Sequence, residues 1–272
     1  MKLKYKELVN AVIKKVRLLG GRYLMSTDQQ SLYKNELELK YEVLDSKTFE
    51  NCKRVIEEAG FKIRGSFLET DFVPDLANFG CKSKGIVLRY RIVKPRRYLL
   101  TLKLKGRRHD LQDNIEIEYE SCSKDKKPFK EIQRIINSEF SIQLSELVLL
   151  KNTIIENTVE IIDYLYSIGF TKCRMLSQKK RTIYTKGEKS FCFDTFPDPI
   201  GTYLELEAFN DKDLRELKKV VASVIELDSC EVKNYGKIIQ EKLNSYGIPR
   251  SKQRVCVFSN NLQNFVYQKF KL

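Results

Sequence analysis

The sequence predicts an α+β fold: antiparallel strands with helices packed against their apolar face. Eight segments of the 272-residue chain alternate apolar and charged residues, the period of a strand with one face buried. Helical stretches of longer period fall between them. With 42% hydrophobic residues and only 12 Gly and 6 Pro, the chain has material for a packed core and is neither collagen-like nor Pro-rich.

Residues 5–19 place Leu8, Val12, Val16 and Leu19 at helical spacing before Gly20-Gly21. From 35 to 43 the period changes to two, with Leu37, Leu39, Tyr41 and Val43 between Glu36, Glu38, Lys40 and Glu42. A helix over 46–59 opens at Ser46 and stops at Gly60. A strand over 64–73 ends at Pro74, and 75–85 reads as a loop expected to order over one mouth of the fold. Strands follow over 86–93, 98–105 and 113–120, then helices over 128–140 and 152–168. Three more strands, near 176–185, 190–195 and 202–209, precede a helix pair over 211–225 and 231–244. The expected domains are a basic helical extension (1–31), the main domain (32–246) and a basic tail (247–272).

The 50 Lys and Arg against 36 Asp and Glu give a net charge of +14. Residues 1–22 hold seven basic side chains against Glu7 alone, and 249–272 hold Arg250, Lys252, Arg254, Lys269 and Lys271 with no acid. These ends are either solvated tails or contacts for a polyanion such as nucleic acid. No apolar run approaches membrane-spanning length, and Met1-Lys-Leu-Lys-Tyr-Lys6 lacks a secretory signal. Seven cysteines without a Cys-x-x-Cys pair argue against a disulfide framework or zinc ribbon, so a cytoplasmic location is expected. With His109 as the single histidine, imidazole-based zinc and triad chemistry recede, leaving carboxylates, Lys, Arg and hard cations.

The informative feature is the charged strand face. Glu36, Glu38 and Lys40 share one, as do Arg89 and Arg91, Lys103 and Lys105, Glu116 and Glu118, Lys179 and Arg181, and Glu205 and Glu207, with Asp194 added. An ordinary antiparallel sheet with a solvated outer face has this pattern. A barrel would turn the same face inward, where dense charge needs opposite partners or a ligand. Acids on some strands and bases on others suit a polyphosphate with its divalent cation: Lys and Arg take phosphoryl oxygens, and carboxylates take Mg²⁺ or Mn²⁺.

Glu36-Leu-Glu38-Leu-Lys40 resembles the N-terminal signature of CYTH domain proteins, the triphosphate tunnel metalloenzymes. The ordered series Leu88-Arg-Tyr-Arg91, Leu100-Thr-Leu-Lys103, Glu116-Ile-Glu118, Lys179-Lys-Arg-Thr-Ile-Tyr184, Asp194 and Gly201-Thr-Tyr-Leu-Glu205-Leu-Glu207 extends the likeness over about 32–246. The resemblance implies a closed eight-stranded antiparallel barrel, its interior a tunnel and its helices outside. It implies metal ligands among Glu36, Glu38, Glu116, Glu118, Asp194, Glu205 and Glu207. It implies triphosphate contacts from Lys40, Arg89, Arg91, Lys103, Lys105, Lys179 and Arg181, with Lys40 and Glu38 catalytic. The Lys-Gly-Pro common in the family appears here as Lys103-Leu-Lys105-Gly106-Arg107, leaving two alternatives for one phosphate contact.

The expected activity is divalent-metal-dependent hydrolysis of a triphosphate such as tripolyphosphate, thiamine triphosphate or ATP. The alternatives are a class IV adenylyl cyclase, an RNA 5′-triphosphatase and a non-catalytic polyphosphate- or nucleotide-binding module.

Overall fold

The structure, a computed structural model, describes residues 34–94, 97–105, 112–121, 123–145, 158–226 and 233–272. The helix expected over 5–19 and His109 lie outside the described residues, as do the side chains of Glu36 and Lys105.

The strands are β1 (Lys34–Val43), β2 (Lys62–Asp75), β3 (Ile86–Lys94), β4 (Arg97–Lys105), β5 (Gln112–Glu120), β6 (Lys172–Lys186), β7 (Lys189–Thr195), β8 (Thr202–Ala208) and β9 (Val255–Cys256). They form one nine-stranded sheet in the order β2-β3-β4-β5-β1-β8-β7-β6-β9. The hairpin partners β2 to β5 and β6 to β8 follow chain order, and β1 sits between β5 and β8. All these ladders are antiparallel except β6–β9, which is parallel through Leu176↔Val255 and Ser177↔Cys256. β2 also pairs with β6, from Lys62↔Thr185 to Asp75↔Lys172. The alternation predicts eight strands; the ninth has two residues, too few to show an alternation.

Helices cover the apolar face. α1 (Ser46–Glu58) begins where the Asp45 carboxylate accepts the Thr48 N–H at 2.7 Å, and the chain leaves it through Gly60 at φ +84°. α2 (Gly80–Ser83) is one turn, with the buried Asp75 carboxylate accepting the N–H groups of Leu76, Cys81 and Lys82. The loop expected over a mouth is thus tied down; Lys84 also donates to the Glu139 carbonyl and carboxylate of α3 (Lys127–Phe140). α4 (Thr158–Ser167) follows. α5 (Asp211–Val221) is capped by Asn210, with Asp211 and Asp213 in its first turn and Lys218 and Lys219 in its last, as the helix dipole favours. Leu37 and Leu39 of β1, Phe191 and Phe193 of β7, and Leu204 and Leu206 of β8 pack against Cys52 and Ile56 of α1 and Leu214, Leu217 and Val221 of α5.

α6 (Tyr235–Ser245) starts at the cap Asn234 and packs Ile238, Ile239 and Leu243 against Met175, Phe196, Ile200 and Tyr203. Residues 247–272, expected as a tail, belong to the same compact unit as the strands. After a 3₁₀ turn and β9, α7 (Asn260–Phe270) buries Leu262, Val266 and Phe270. Two of the basic residues there contact the domain outside the segment: Lys269 pairs with Asp163 at 2.7 Å and the Arg254 guanidinium lies 5.2 Å from the Phe79 ring, while Lys252 lies 5.7 Å from the Tyr267 ring within the segment.

Candidate functional site

Two-residue spacing sends the partners of the apolar set to the other side of the sheet, and there they are buried. Lys40 is 1% exposed, Asp194 0%, Glu205 2% and Arg181 7%. Glu38, Glu116, Arg91 and Lys179 are buried with them. The charged face is therefore not a solvated exterior.

These side chains form one continuous run of ion pairs. Glu116 of β5 pairs closely with Lys103 of β4, whose ammonium is 3.6 Å from Glu38 of β1. Glu38 pairs with Lys40, and Lys40 lies 2.9 Å from Glu205 of β8. Glu205 pairs closely with Arg181 of β6, which also holds Asp194 of β7 at 2.6 Å and Glu207 at 3.0 Å. Lys179 reaches the same Asp194 at 3.0 Å. From Arg181 and Lys179 the run passes through Glu69 of β2, 3.8 and 3.6 Å away, to Arg91 of β3 at 3.3 Å. Arg91 then makes a two-pronged bond to Asp71, at 2.6 and 2.8 Å. Each strand from β1 to β8 supplies at least one member.

Mutual charge sets the protonation states. Burial opposes the Lys40 ammonium, but Glu205 and Glu38 more than reverse this and raise its pKa. Burial likewise opposes the Glu205 carboxylate, yet Lys40, Arg181 and Lys179 hold it well below the usual range. Glu69 is lowered against burial by Arg91, Arg181 and Lys179, and Asp71 by Arg91. Lys40 is thus a fixed cation, and these three carboxylates are ionised oxygen donors at neutral pH.

The expected residues are not all in this run. Glu118 is on the rim, 37% exposed at its side chain and 3.9 Å from Arg89. Arg89 donates to Thr101 at 3.2 Å, and its buried Nε has no hydrogen-bond partner among the described residues. Glu36 and Lys105 keep their strand positions, opposite Asn114 in their ladders. Lys180 is exposed and Tyr184 is buried in the apolar core, so within Lys179–Tyr184 only Lys179 and Arg181 join the charged set. Among the described residues no three Asp, Glu, Cys or His side chains gather as a metal-ligand group. Each carboxylate of the run has a Lys or Arg beside it.

Sequence reasoning missed three members. Glu69 and Asp71 share a face of β2, but Phe67 and Val73 stand at the same parity, which hid the charged pattern. Tyr235, whose ring centroid is 4.9 Å from Lys40 Nζ, comes from a helix and carries no strand signal.

No protein-family model matches the sequence, and neither does any curated protein. Solved structures do. The PH1819 protein of Pyrococcus horikoshii OT3 is 16% identical over 78% of this chain and 99% of its own, with a TM-score of 0.50. A conserved hypothetical protein of Pyrococcus furiosus is 16% identical over 75% and 99%, again at 0.50. The Hippeastrum protein HpAC1, described as having a dominant triphosphatase activity, is 16% identical over 70% and 87%, at 0.43. The two Pyrococcus proteins share this chain's fold.

Proposed function

We propose that this chain, which has the CYTH or triphosphate tunnel fold, is a divalent-metal-dependent hydrolase that binds a triphosphate in a bore formed by strands β1 to β8. The single observation carrying this reading is the buried ion-pair run to which all eight strands contribute. The β2–β6 ladder supports a closed eight-stranded barrel around it, since the ladders lead from β2 round to β6 and back to β2. Well-packed apolar residues would serve stability as well as a buried charge network does, or better. A network of this extent fits a ligand that takes the charges over.

Charge exchange is the proposed means of binding. Phosphoryl oxygens take the donors of Lys40, Arg91, Lys103, Lys179 and Arg181, together with the free Arg89 Nε. The released carboxylates then need cations. Glu38 lies directly across the β1–β8 ladder from Glu207, and Lys40 across from Glu205. Like charges directly opposite destabilise a ladder unless a cation neutralises them. Glu38, Glu205 and Glu207 would hold a hard ion, Mg²⁺ or Mn²⁺, with Glu36, Glu116, Glu118 and Asp194 as further candidates. When bound, such an ion supplies neutralisation of the phosphoryl oxygens.

Lys40, kept protonated, holds a phosphoryl oxygen and does not act as a base. Glu38 beside it accepts a hydrogen bond from the attacking water and so orients it toward the terminal phosphorus. The bond from the terminal phosphorus to its bridging oxygen breaks as the water oxygen adds, the bridging oxygen leaves with the diphosphate, and the products are inorganic phosphate and that diphosphate.

The test is to incubate the protein with tripolyphosphate, thiamine triphosphate, ATP and 5′-triphosphate RNA, with Mg²⁺ or Mn²⁺, and to assay phosphate, pyrophosphate and cyclic AMP separately. Phosphate is expected from each substrate, together with the corresponding diphosphate, which for tripolyphosphate is pyrophosphate itself. Cyclic AMP from ATP would replace hydrolysis with cyclisation, and tight binding without turnover would leave a binding module.

A further inference from the structure

One side chain that touches the charged set comes from outside the strands. Tyr235 opens helix α6 next to its cap, Asn234. Its ring centroid is 4.9 Å from Lys40 Nζ and 4.8 Å from Lys179 Nζ, within the distance at which a ring face attracts an ammonium. Phe196 and Tyr203 hold the ring at centroid distances of 4.9 and 5.9 Å. The hydroxyl is buried and close enough to the Asp194 carboxylate to interact with it, yet among the described residues it makes no hydrogen bond of normal geometry. A buried donor whose neighbouring carboxylate is not in good hydrogen-bond geometry, beside two ammonium groups, suits an anionic oxygen as its acceptor.

We propose that Tyr235 is a positioning residue of the anion site: its ring fixes the Lys40 and Lys179 ammonium groups, and its hydroxyl donates to an oxygen of the bound triphosphate. This rests on the triphosphate reading above and adds to it a contribution from α6. The helix then does more than cover one end of the apolar core. It presents the two lysines to the ligand, and the hydroxyl marks how deep the ligand's outermost phosphoryl group reaches.

Tripolyphosphate binding, measured by calorimetry with and without Mg²⁺, tests this in Tyr235→Phe, Tyr235→Leu and a series placing progressively fluorinated phenylalanines at 235. Fluorine withdraws charge from the ring face at nearly constant shape, so a purely space-filling ring is blind to it. The expected result is roughly tenfold weaker binding for Tyr235→Phe, further stepwise loss with fluorination, and the weakest binding for Tyr235→Leu, at unchanged melting temperature across the Phe series. A flat fluorination series overturns the ring's role, and wild-type affinity in Tyr235→Phe overturns the hydroxyl's. A second readout needs no ligand. The Cε protons of Lys40 and Lys179 should carry ring-current shifts that persist in Tyr235→Phe and vanish in Tyr235→Leu. Their absence from the wild type overturns the ring contact itself. Wild-type protein with those shifts but no tripolyphosphate binding overturns the triphosphate reading and leaves the contact standing.

Discussion

Arg181 is the side chain on which most of the buried acid depends. It touches Asp194, Glu205 and Glu207 and stands 3.8 Å from Glu69. Arg181→Ala leaves those carboxylates partly uncompensated and should cost about 3–5 kcal/mol in urea unfolding. A loss under ~1 kcal/mol would mean water already reaches the acids. The protonation states also set a pH window. Glu205 and Glu69 have folded pKa values below the ordinary 4.5, so their stabilisation is present above that value and is lost as pH falls below it. Lys40 is raised above 10.5, so its contribution is complete below that pH and is lost as pH climbs past it. The Cys192 thiol and Tyr235 phenol, both raised chiefly by burial, add to the alkaline loss because they ionise more readily when unfolded. Urea midpoints should therefore form a plateau from about pH 5 to about pH 9, where the unfolded thiol begins to ionise, and Lys40→Met should make the limb above about pH 10.5 shallower. An alkaline limb unchanged by Lys40→Met would remove Lys40 as a source.

Helices and strands outside the charged run set its frame, and they can be separated from it experimentally. The Phe270 ring of α7 lies 5.9 Å from that of Phe72 on β2 and 5.7 Å from that of Tyr166 on α4. Phe270→Ala should cost about 3–5 kcal/mol while leaving the KM for tripolyphosphate within twofold. A large KM change would tie α7 to the site. The sequence made the elements around β1 legible because a single period ran through each. Leu37 and Leu39 against Glu38 and Lys40 identify both the strand and the side that carries charge. The C-terminal elements were illegible for a physical reason. β9 is held by a partner strand about 80 residues earlier, not by its own pattern, and the buried Gln178 that accepts the Phe258 N–H at 2.9 Å shows no periodicity either. Tyr235 escaped for the same reason: its significance depends on where α6 docks, which is a long-range fact. Metal ligation is the converse case. The acids were legible one by one, but their pairing with Lys and Arg depends on register across the sheet.

The whole molecule combines a positively charged chain with a carboxylate-rich interior. Among the described residues no helix is long and apolar enough to cross a membrane. The net charge of +14 draws a polyanion from a distance, so kcat/KM for tripolyphosphate should fall roughly tenfold between low and high ionic strength. Removing residues 1–22, seven of them basic, should shrink that slope without changing kcat. A slope insensitive to the deletion would place the steering field elsewhere.

The position of β1 in the sheet has a consequence for biosynthesis. It is the first strand described, yet both of its neighbours are made later: β5 more than sixty residues on, and β8 more than one hundred and fifty. The strand that carries Glu38 and Lys40 leaves the ribosome long before either partner exists. Its apolar side can meet only α1 until β7, β8 and α5 have been made, and β9 and α7 come later still. A nascent chain halted before β8 should therefore be a chaperone client and protease-sensitive, whatever its local propensities.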